Sequence, residues 1–311
     1  MREIIGLIGR DDLVDKLVKE ARKGRNLLLT GPPGIGKSAV LEAVTTRLVD
    51  RYNDINLISI DEQQAKGQFL SLTRGLLELG LVKPSALELD KSLDEADPAT
   101  IQWLKIKRQV NRLSIRDLCA AIIPAIHAHP GRVLIAVDDL TTVTPTMTAF
   151  WLAILDGAQI IGCASEKRKN LARLWWKLAE IPVPPLKPEV ARQIAKTYMQ
   201  QTGTLIEAPG LFLAQVVQQA NGNPQALADL LADSSKERVV NKQKIREMKH
   251  GAGHSYFDFT PVMIVALASV VGTRYLAMGT GDTELYIFAG MLAAVVISLR
   301  VFLFRGAGKA N

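Results

Sequence analysis

From the N-terminus to about Pro185, short β-branched and aliphatic runs alternate with longer stretches of helical periodicity. The runs at Asn26–Thr30, Ile55–Ile60, Val133–Val137, Gln159–Cys163 and Ile181–Val183 predict strands, and the helical text between them predicts a parallel sheet covered by helices. Between the second and third runs, a mostly helical stretch extends from about Phe69 to His129. Its middle is acidic (Glu88, Asp90, Asp94, Glu95, Asp97) and a basic run follows (Lys105, Lys107, Arg108, Arg112, Arg116). From Lys187 to about Asp233 only helical periodicity remains, which predicts a small all-α unit. Ser234–His250 is basic and helical until Gly251-Ala252-Gly253 breaks it. The expected organisation is an α/β domain over 1–185, a helical unit over 186–233, a basic linker over 234–259, an apolar hairpin over 260–305 and a tail over 306–311.

The hairpin reads as a bilayer element. Pro261–Gly279 and Leu285–Phe304 are dominantly apolar, and each is near the length a helix needs to cross roughly 30 Å of hydrocarbon. The turn between them, Thr280-Gly281-Asp282-Thr283-Glu284, carries only acidic charge. Lys242, Lys244, Arg246 and Lys249 precede the first run, and Arg305 and Lys309 follow the second. The positive-inside tendency then predicts both long ends in the cytoplasm and a multi-pass membrane protein with two spans. Arg274 and Arg300 fall inside the runs, each about one turn from an end, where a long side chain can snorkel to the interface. The basic segment Lys236–Lys249 suits a position beside anionic headgroups.

Composition narrows the classes. The chain has 311 residues, a net charge of +7 and 48% hydrophobic residues, which allows a sizeable core and excludes disorder by composition. The basic balance permits contact with nucleic acid or an anionic membrane without choosing between them. Its two cysteines, Cys119 and Cys163, are far apart, which argues against a disulfide framework or a zinc site. The histidine pairs His127/His129 and His250/His254 lack the further ligands of a zinc site. The N-terminal apolar run is too short for a secretory leader. Trp103, Trp151, Trp175 and Trp176 fall in helical stretches and are expected in the core or an interface.

The chemistry concentrates in two segments. Gly31-Pro32-Pro33-Gly34-Ile35-Gly36-Lys37-Ser38 satisfies G-x-x-x-x-G-K-[S/T] in full, after the apolar run Leu27-Leu28-Leu29 and before a helical run that starts at Ala39. Glycines there let successive backbone N–H groups point inward around an anion, and the helix adds its positive end. Lys37 is expected to reach the β- and γ-phosphates of ATP, and the Ser38 hydroxyl to ligate Mg²⁺. The second segment, Val133-Leu134-Ile135-Ala136-Val137-Asp138-Asp139, is an apolar strand that delivers two carboxylates to the ligand-binding edge of the sheet. Asp138 is expected to hold Mg²⁺ through its water shell, and Asp139 to polarise the attacking water.

The order of these segments, followed by a strand ending Cys163-Ala164-Ser165, resembles the AAA+ and STAND branches of the P-loop ATPases over about residues 4–233. Ile8-Gly9-Arg10-Asp11-Asp12-Leu13 is similar to the lead-in that packs on the adenine, which implies base contacts for Ile8 and Gly9. Pro185-Leu186-Lys187-Pro188-Glu189 with Asn221-Gly222-Asn223-Pro224-Gln225-Ala226-Leu227 is similar to the helical lid, and the resemblance gives Pro224 to the base. It further implies Ser165 as the polar sensor and Arg168 or Arg173 as an arginine finger supplied to a neighbouring subunit. A solvated basic loop accounts for either arginine as well. Glu is usual in vigorous AAA+ machines where Asp139 stands, so slow turnover is expected. Arg192 is a weak match for a lid arginine and reads better as a helix-surface residue.

The expected fold is thus an α/β parallel-sheet P-loop NTPase domain with a helical lid and a C-terminal two-helix transmembrane hairpin. The expected cofactors are ATP and Mg²⁺. The expected partners are sister copies in a ring or filament, a lipid bilayer and a protein not identifiable from the sequence. Three roles fit: a membrane-anchored ATPase that remodels or assembles a partner, a signalling or defence switch whose oligomers perturb the membrane, and a DNA-associated ATPase of the initiator or transposition-helper kind. Nucleic acid is the less favoured partner, because a solvated helix face accounts for Lys105–Arg116.

Overall fold

A computed structural model describes residues 7–253, apart from 96, 99, 100, 130, 203, 204 and 238, together with residues 260–294. The chain divides into two compact units, Met1–His254 and Ser255–Asn311.

In the first unit, helix α1 (Asp11–Arg22) leads into β1 (Leu27–Thr30), α2 (Lys37–Arg51) and β2 (Ile55–Ile60). Then come α3 (Ala65–Glu78), α4 (Trp103–Val110), α5 (Ile115–Ala128), β3 (Arg132–Val137), α6 (Pro145–Leu155), β4 (Gln159–Ala164), the single turn α7 (Ala172–Trp175) and β5 (Ala179–Pro182). These five strands form one parallel sheet in the order β2-β3-β4-β1-β5. The first strand in sequence therefore lies beside β4 and β5, and the loops after β1, β3 and β4 share one edge. Alternating side chains feed two cores. Leu134 and Ala136 turn toward α1 and α2, where Leu17, Val40, Val44 and Leu48 are buried. Val133, Ile135 and Val137 turn to the opposite layer, with Phe69, Leu72, Ile122 and Trp151. Helix α5 starts with a capping box in which Ser114 and Asp117 satisfy each other's backbone N–H groups.

The expected strands all appear, β2 with the expected bounds and the others with one or both ends shifted by one or two residues; β5 starts at Ala179 rather than Ile181. The helical unit consists of α8 (Pro188–Thr202), α9 (Pro209–Ala220), α10 (Pro224–Ser234) and α11 (Lys242–Glu247). It also contains a two-residue parallel ribbon, β6 (Leu205–Ile206) with β7 (Val239–Val240), which the helical periodicity did not announce. The unit's core reaches beyond 233, because Val240 and Ile245 are buried with Phe212, Val216 and Leu227. Much of the basic run therefore packs onto the helices, held by three inward apolar side chains: Val240, Ile245 and the partly buried Met248.

In the second unit, α12 (Thr260–Thr280) contains the first apolar run, and residues 283–294 are helical again. Among the described residues, no helix is long and apolar enough to cross a membrane. The two expected spans consequently have no support in these helices. Arg274 interrupts the first run, where its guanidinium donates to the Tyr286 hydroxyl (2.5 Å) and lies 4.6 Å from the centre of that ring. The remainder of the second run, 295–304, lies outside the described residues, as do Arg300, Arg305 and Lys309.

Candidate nucleotide site

The phosphate loop runs from the end of β1 to the start of α2. Gly34 and Gly36 have φ of 75° and 93°, in the left-handed region that glycine enters without steric cost. Space also demands glycine at 34, since a Cβ there would lie 2.6 Å from Gln225 Cβ. Lys37 is 9% exposed, and its Nζ donates to the carbonyls of Gly31 (2.9 Å) and Pro32 (3.1 Å) and to Ser165 Oγ (3.0 Å). Burial lowers the lysine pKa, while nearby Cys163, Asp139 and Asp138 act to raise it. The ammonium thus sits folded back on its own loop, with donors that an incoming phosphate can take over.

Asp138 and Asp139 follow β3 at the same edge. The Asp138 N–H donates to the Ile60 carbonyl (3.0 Å), extending the β2–β3 pairing by one residue. Among the described residues its Oδ1 is buried without a hydrogen-bond partner, and the residue lines a cavity of about 420 Å³ with Ser38, Glu42, Ser59 and Asp61. A buried, unsatisfied carboxylate oxygen in the same cavity as a serine at a helix N-terminus is a donor set that fits Mg²⁺, which takes oxygen ligands and keeps several waters. Asp139 Oδ1 accepts from the Thr141 N–H (2.7 Å), and its main-chain oxygen accepts from Gln68 Nε2 (2.7 Å). The Thr141 hydroxyl in turn accepts from the Ser165 N–H (3.2 Å). A continuous chain therefore links Lys37, Ser165, Thr141 and Asp139.

Two further joints hold the loop. Arg10, 4% exposed, donates to the Ile35 carbonyl (2.7 Å) and to the Pro184 carbonyl (2.8 Å), so it ties the lead-in to the phosphate loop and to the segment after β5 that enters the helical unit. Its burial lowers the guanidinium pKa. Asn223 caps α10 by accepting from the N–H groups of Gln225 and Ala226, while its Nδ2 donates to the Pro33 carbonyl (2.9 Å). The Gln225 N–H also donates to the Gly34 carbonyl (3.2 Å). Pro224, at the first turn of α10, thus lies one residue from two contacts with the phosphate loop.

The remaining expected residues take varied positions. Gly9 has a φ of 74° and lies against Val190 of α8, while Ile8 is 41% exposed. Ala39 and Ile35 are buried beside the loop, whereas Pro32, Pro33 and Ser38 are exposed. Arg168 and Arg173 are exposed, and among the described residues their side chains form no ion pair or hydrogen bond. The adjacent Lys167 is tied instead to Glu180 of β5. Trp151 is fully buried, and Trp175 donates through Nε1 to the Arg168 carbonyl (2.9 Å), but Trp176 is 81% exposed. Sequence reasoning passed over Arg10, Gln68, Thr141, Asn223 and Gln225 as site residues. Arg10, Asn223 and Gln225 stood inside quoted motifs, and Thr141 two residues past the acid pair. Gln68 carried no local signal.

Residues 6–160 match the family model of the AAA ATPase domain. No curated protein matches the chain. Among solved structures, two RuvB variants from Thermotoga maritima are similar. One shares 15% identity with a TM-score of 0.42, covering 88% of this chain and 83% of that one. The other shares 13% with a TM-score of 0.40, covering 87% and 82%. Likeness that remote carries nothing about substrate or partner. With the family match spanning the phosphate loop and the acid pair on one sheet edge, the chain carries an AAA ATPase domain over residues 6–160 and is an ATPase of the P-loop kind.

Proposed function

We propose that the chain binds ATP with Mg²⁺ at Gly31–Ser38 and hydrolyses it slowly to drive its own assembly and the remodelling of a partner at a membrane face. The observation that carries the site is the linked set Lys37–Ser165–Thr141–Asp139, in which hydrogen bonds join residues from three separate loops at one sheet edge. In this reading the loop N–H groups and Lys37 bind the phosphates, and Ser165 senses the terminal one when Lys37 leaves it. Ser38 and Asp138 would hold Mg²⁺, which neutralises charge on the phosphates. Asp139 keeps Oδ2 to orient water. An aspartate already spending one oxygen on Thr141 supports slow turnover. Ile8, Gly9 and Pro224 would flank the base.

Assembly is supported by Arg168 and Arg173, exposed cations with no partner among the described residues. A neighbouring copy receiving one of them would gain charge stabilisation of the transferring phosphoryl, worth about 10³–10⁵ in rate for such fingers. Attachment is supported by the second unit, whose Val265, Tyr275, Leu276, Met278, Phe288 and Met291 are all more than half exposed. Large apolar side chains exposed in such number need a cover, and a bilayer supplies one.

The test is purification of the full chain in detergent, followed by ATP turnover and particle size with ATP, with ADP and without nucleotide. ATP-dependent growth in size, lost in Lys37→Ala, is the expected result. A monomer under all three conditions sinks the assembly reading. Failure to pellet with liposomes in low and high salt sinks the attachment.

A further inference from the structure

Thr141 lies just beyond the acid pair and outside both motifs, yet it touches each side of the site. Its N–H donates to Asp139 Oδ1 at 2.7 Å, and its Oγ1 accepts the Ser165 N–H at 3.2 Å. Because the Ser165 hydroxyl is in turn bonded to Lys37 Nζ at 3.0 Å, the Thr141–Ser165 bond connects the Asp139 carboxylate, in the loop after β3, to the phosphate loop through the loop after β4. The loop after β3 is also fastened to strand β4 by the Leu140 N–H on the Cys163 carbonyl at 2.8 Å. From the other side Gln68, fully buried on α3, donates to the Asp139 carbonyl and to Thr142 Oγ1 at 3.2 Å. The peptide of Asp139 is thereby fixed by Gln68, and its carboxylate is aimed by Thr141.

We propose that Thr141 is a positioning residue of the ATPase, coupling the serine that meets the terminal phosphate to the carboxylate that orients water. The inference rests on the functional reading above and adds the connection between its parts. When a phosphate takes Lys37 from Ser165, the serine hydroxyl is freed toward the phosphate. Any shift of Ser165 reaches Asp139 through two hydrogen bonds centred on one residue. In this reading Thr141 makes no phosphate contact; without its hydroxyl the Thr141 peptide, whose N–H aims Asp139, loses its tie to Ser165, and the aim shifts while every phosphate contact remains. Misplacing a catalytic group by about 1 Å can cost on the order of 10²-fold in rate.

The experiment compares Thr141→Val, which keeps the shape and loses the oxygen, with Thr141→Ser, which keeps the oxygen. Full-length protein is used, with ATP binding and turnover measured separately and thermal melts checking the fold. For Thr141→Val, kcat is expected to fall roughly tenfold to a hundredfold, while ATP affinity stays within about twofold of wild type. Thr141→Ser should recover most of the rate. Combining Thr141→Val with Ser165→Ala should cost no more than the larger single change, because Thr141→Val cuts the Ser165 N–H bond and Ser165→Ala the Lys37 bond, successive links of one chain. Wild-type turnover in Thr141→Val, or a loss of affinity equal to the loss of rate, overturns the proposal while leaving the ATPase intact. A melt lowered equally in both Thr141 variants, with equal loss of rate, overturns it too, since a purely structural role would then suffice. Wild-type protein that fails to bind ATP would overturn the site reading itself, and Thr141 with it.

Discussion

The nucleotide edge and the second unit handle apolar sequence in opposite ways. At the edge, strands as hydrophobic as Leu27–Leu29 and Val133–Val137 are buried completely on two faces, and only their last residues emerge, carrying polar groups to one place. In residues 265–292, comparably apolar sequence leaves Val265, Tyr275, Leu276, Phe288 and Met291 open. Hydrophobicity is therefore not the distinguishing variable; layers are. A parallel sheet acquires helices on both faces from its own crossover connections, while a lone helical pair has one mutual seam and leaves the remaining circumference for something else to cover.

The sharpest way to break this comparison is at the edge. Lys37→Ala should lower ATP turnover by at least about 10²–10³-fold, the usual loss when a charged transition-state donor is removed from an enclosed site; turnover near wild type would mean the phosphates bind elsewhere. Arg10→Met comes next. It strands the Ile35 and Pro184 carbonyls, and should destabilise the first unit by about 2–3 kcal/mol and loosen ATP binding, read by denaturant unfolding and nucleotide titration. Gly34→Ala imposes a left-handed φ on alanine and a 2.6 Å approach to Gln225, so a cost of about 1–3 kcal/mol is expected, with the lid displaced and ATP weakened. Protease sensitivity of the segment between β5 and α8 should rise in that variant; an unchanged digestion pattern would sever the lid from the loop. Truncation after residue 253 should have the smallest effect on the site, with ATP affinity within about twofold of the full chain, because among the described residues every residue assigned to the site lies in the first unit. The same truncation should abolish liposome binding. Retained binding would show that the exposed apolar helices are not what holds the membrane.

How far the sequence could be read follows from the range of each signal. The five strands and the phosphate loop were legible because each depends on a contiguous pattern: an apolar run, or glycines and a lysine at fixed spacing. The ribbon β6–β7 was not, since two-residue strands more than thirty positions apart have no period to detect. Nor was the packing of 234–248 onto the lid, because its charges dominate the text and three apolar side chains carry the burial. The apolar runs at the C-terminus signalled a bilayer by length and apolarity, yet among the described residues no helix is long and apolar enough to cross one, and Arg274 finds its partner on the neighbouring helix.

By itself, then, the sequence determined the local chemistry: a phosphate loop after an apolar strand, a pair of acids after another and a serine after a third. The tertiary structure decided which residues work together. Lys37 meets Ser165 across 128 positions, Asn223 meets Pro33 across 190, and Arg10 reaches Pro184 across 174. The physical reason is the strand order β2-β3-β4-β1-β5, which sets β4 directly beside β1 and brings the ends of distant segments to one edge. Spacing along the chain carries no trace of that adjacency; only hydrogen bonding between strands creates it.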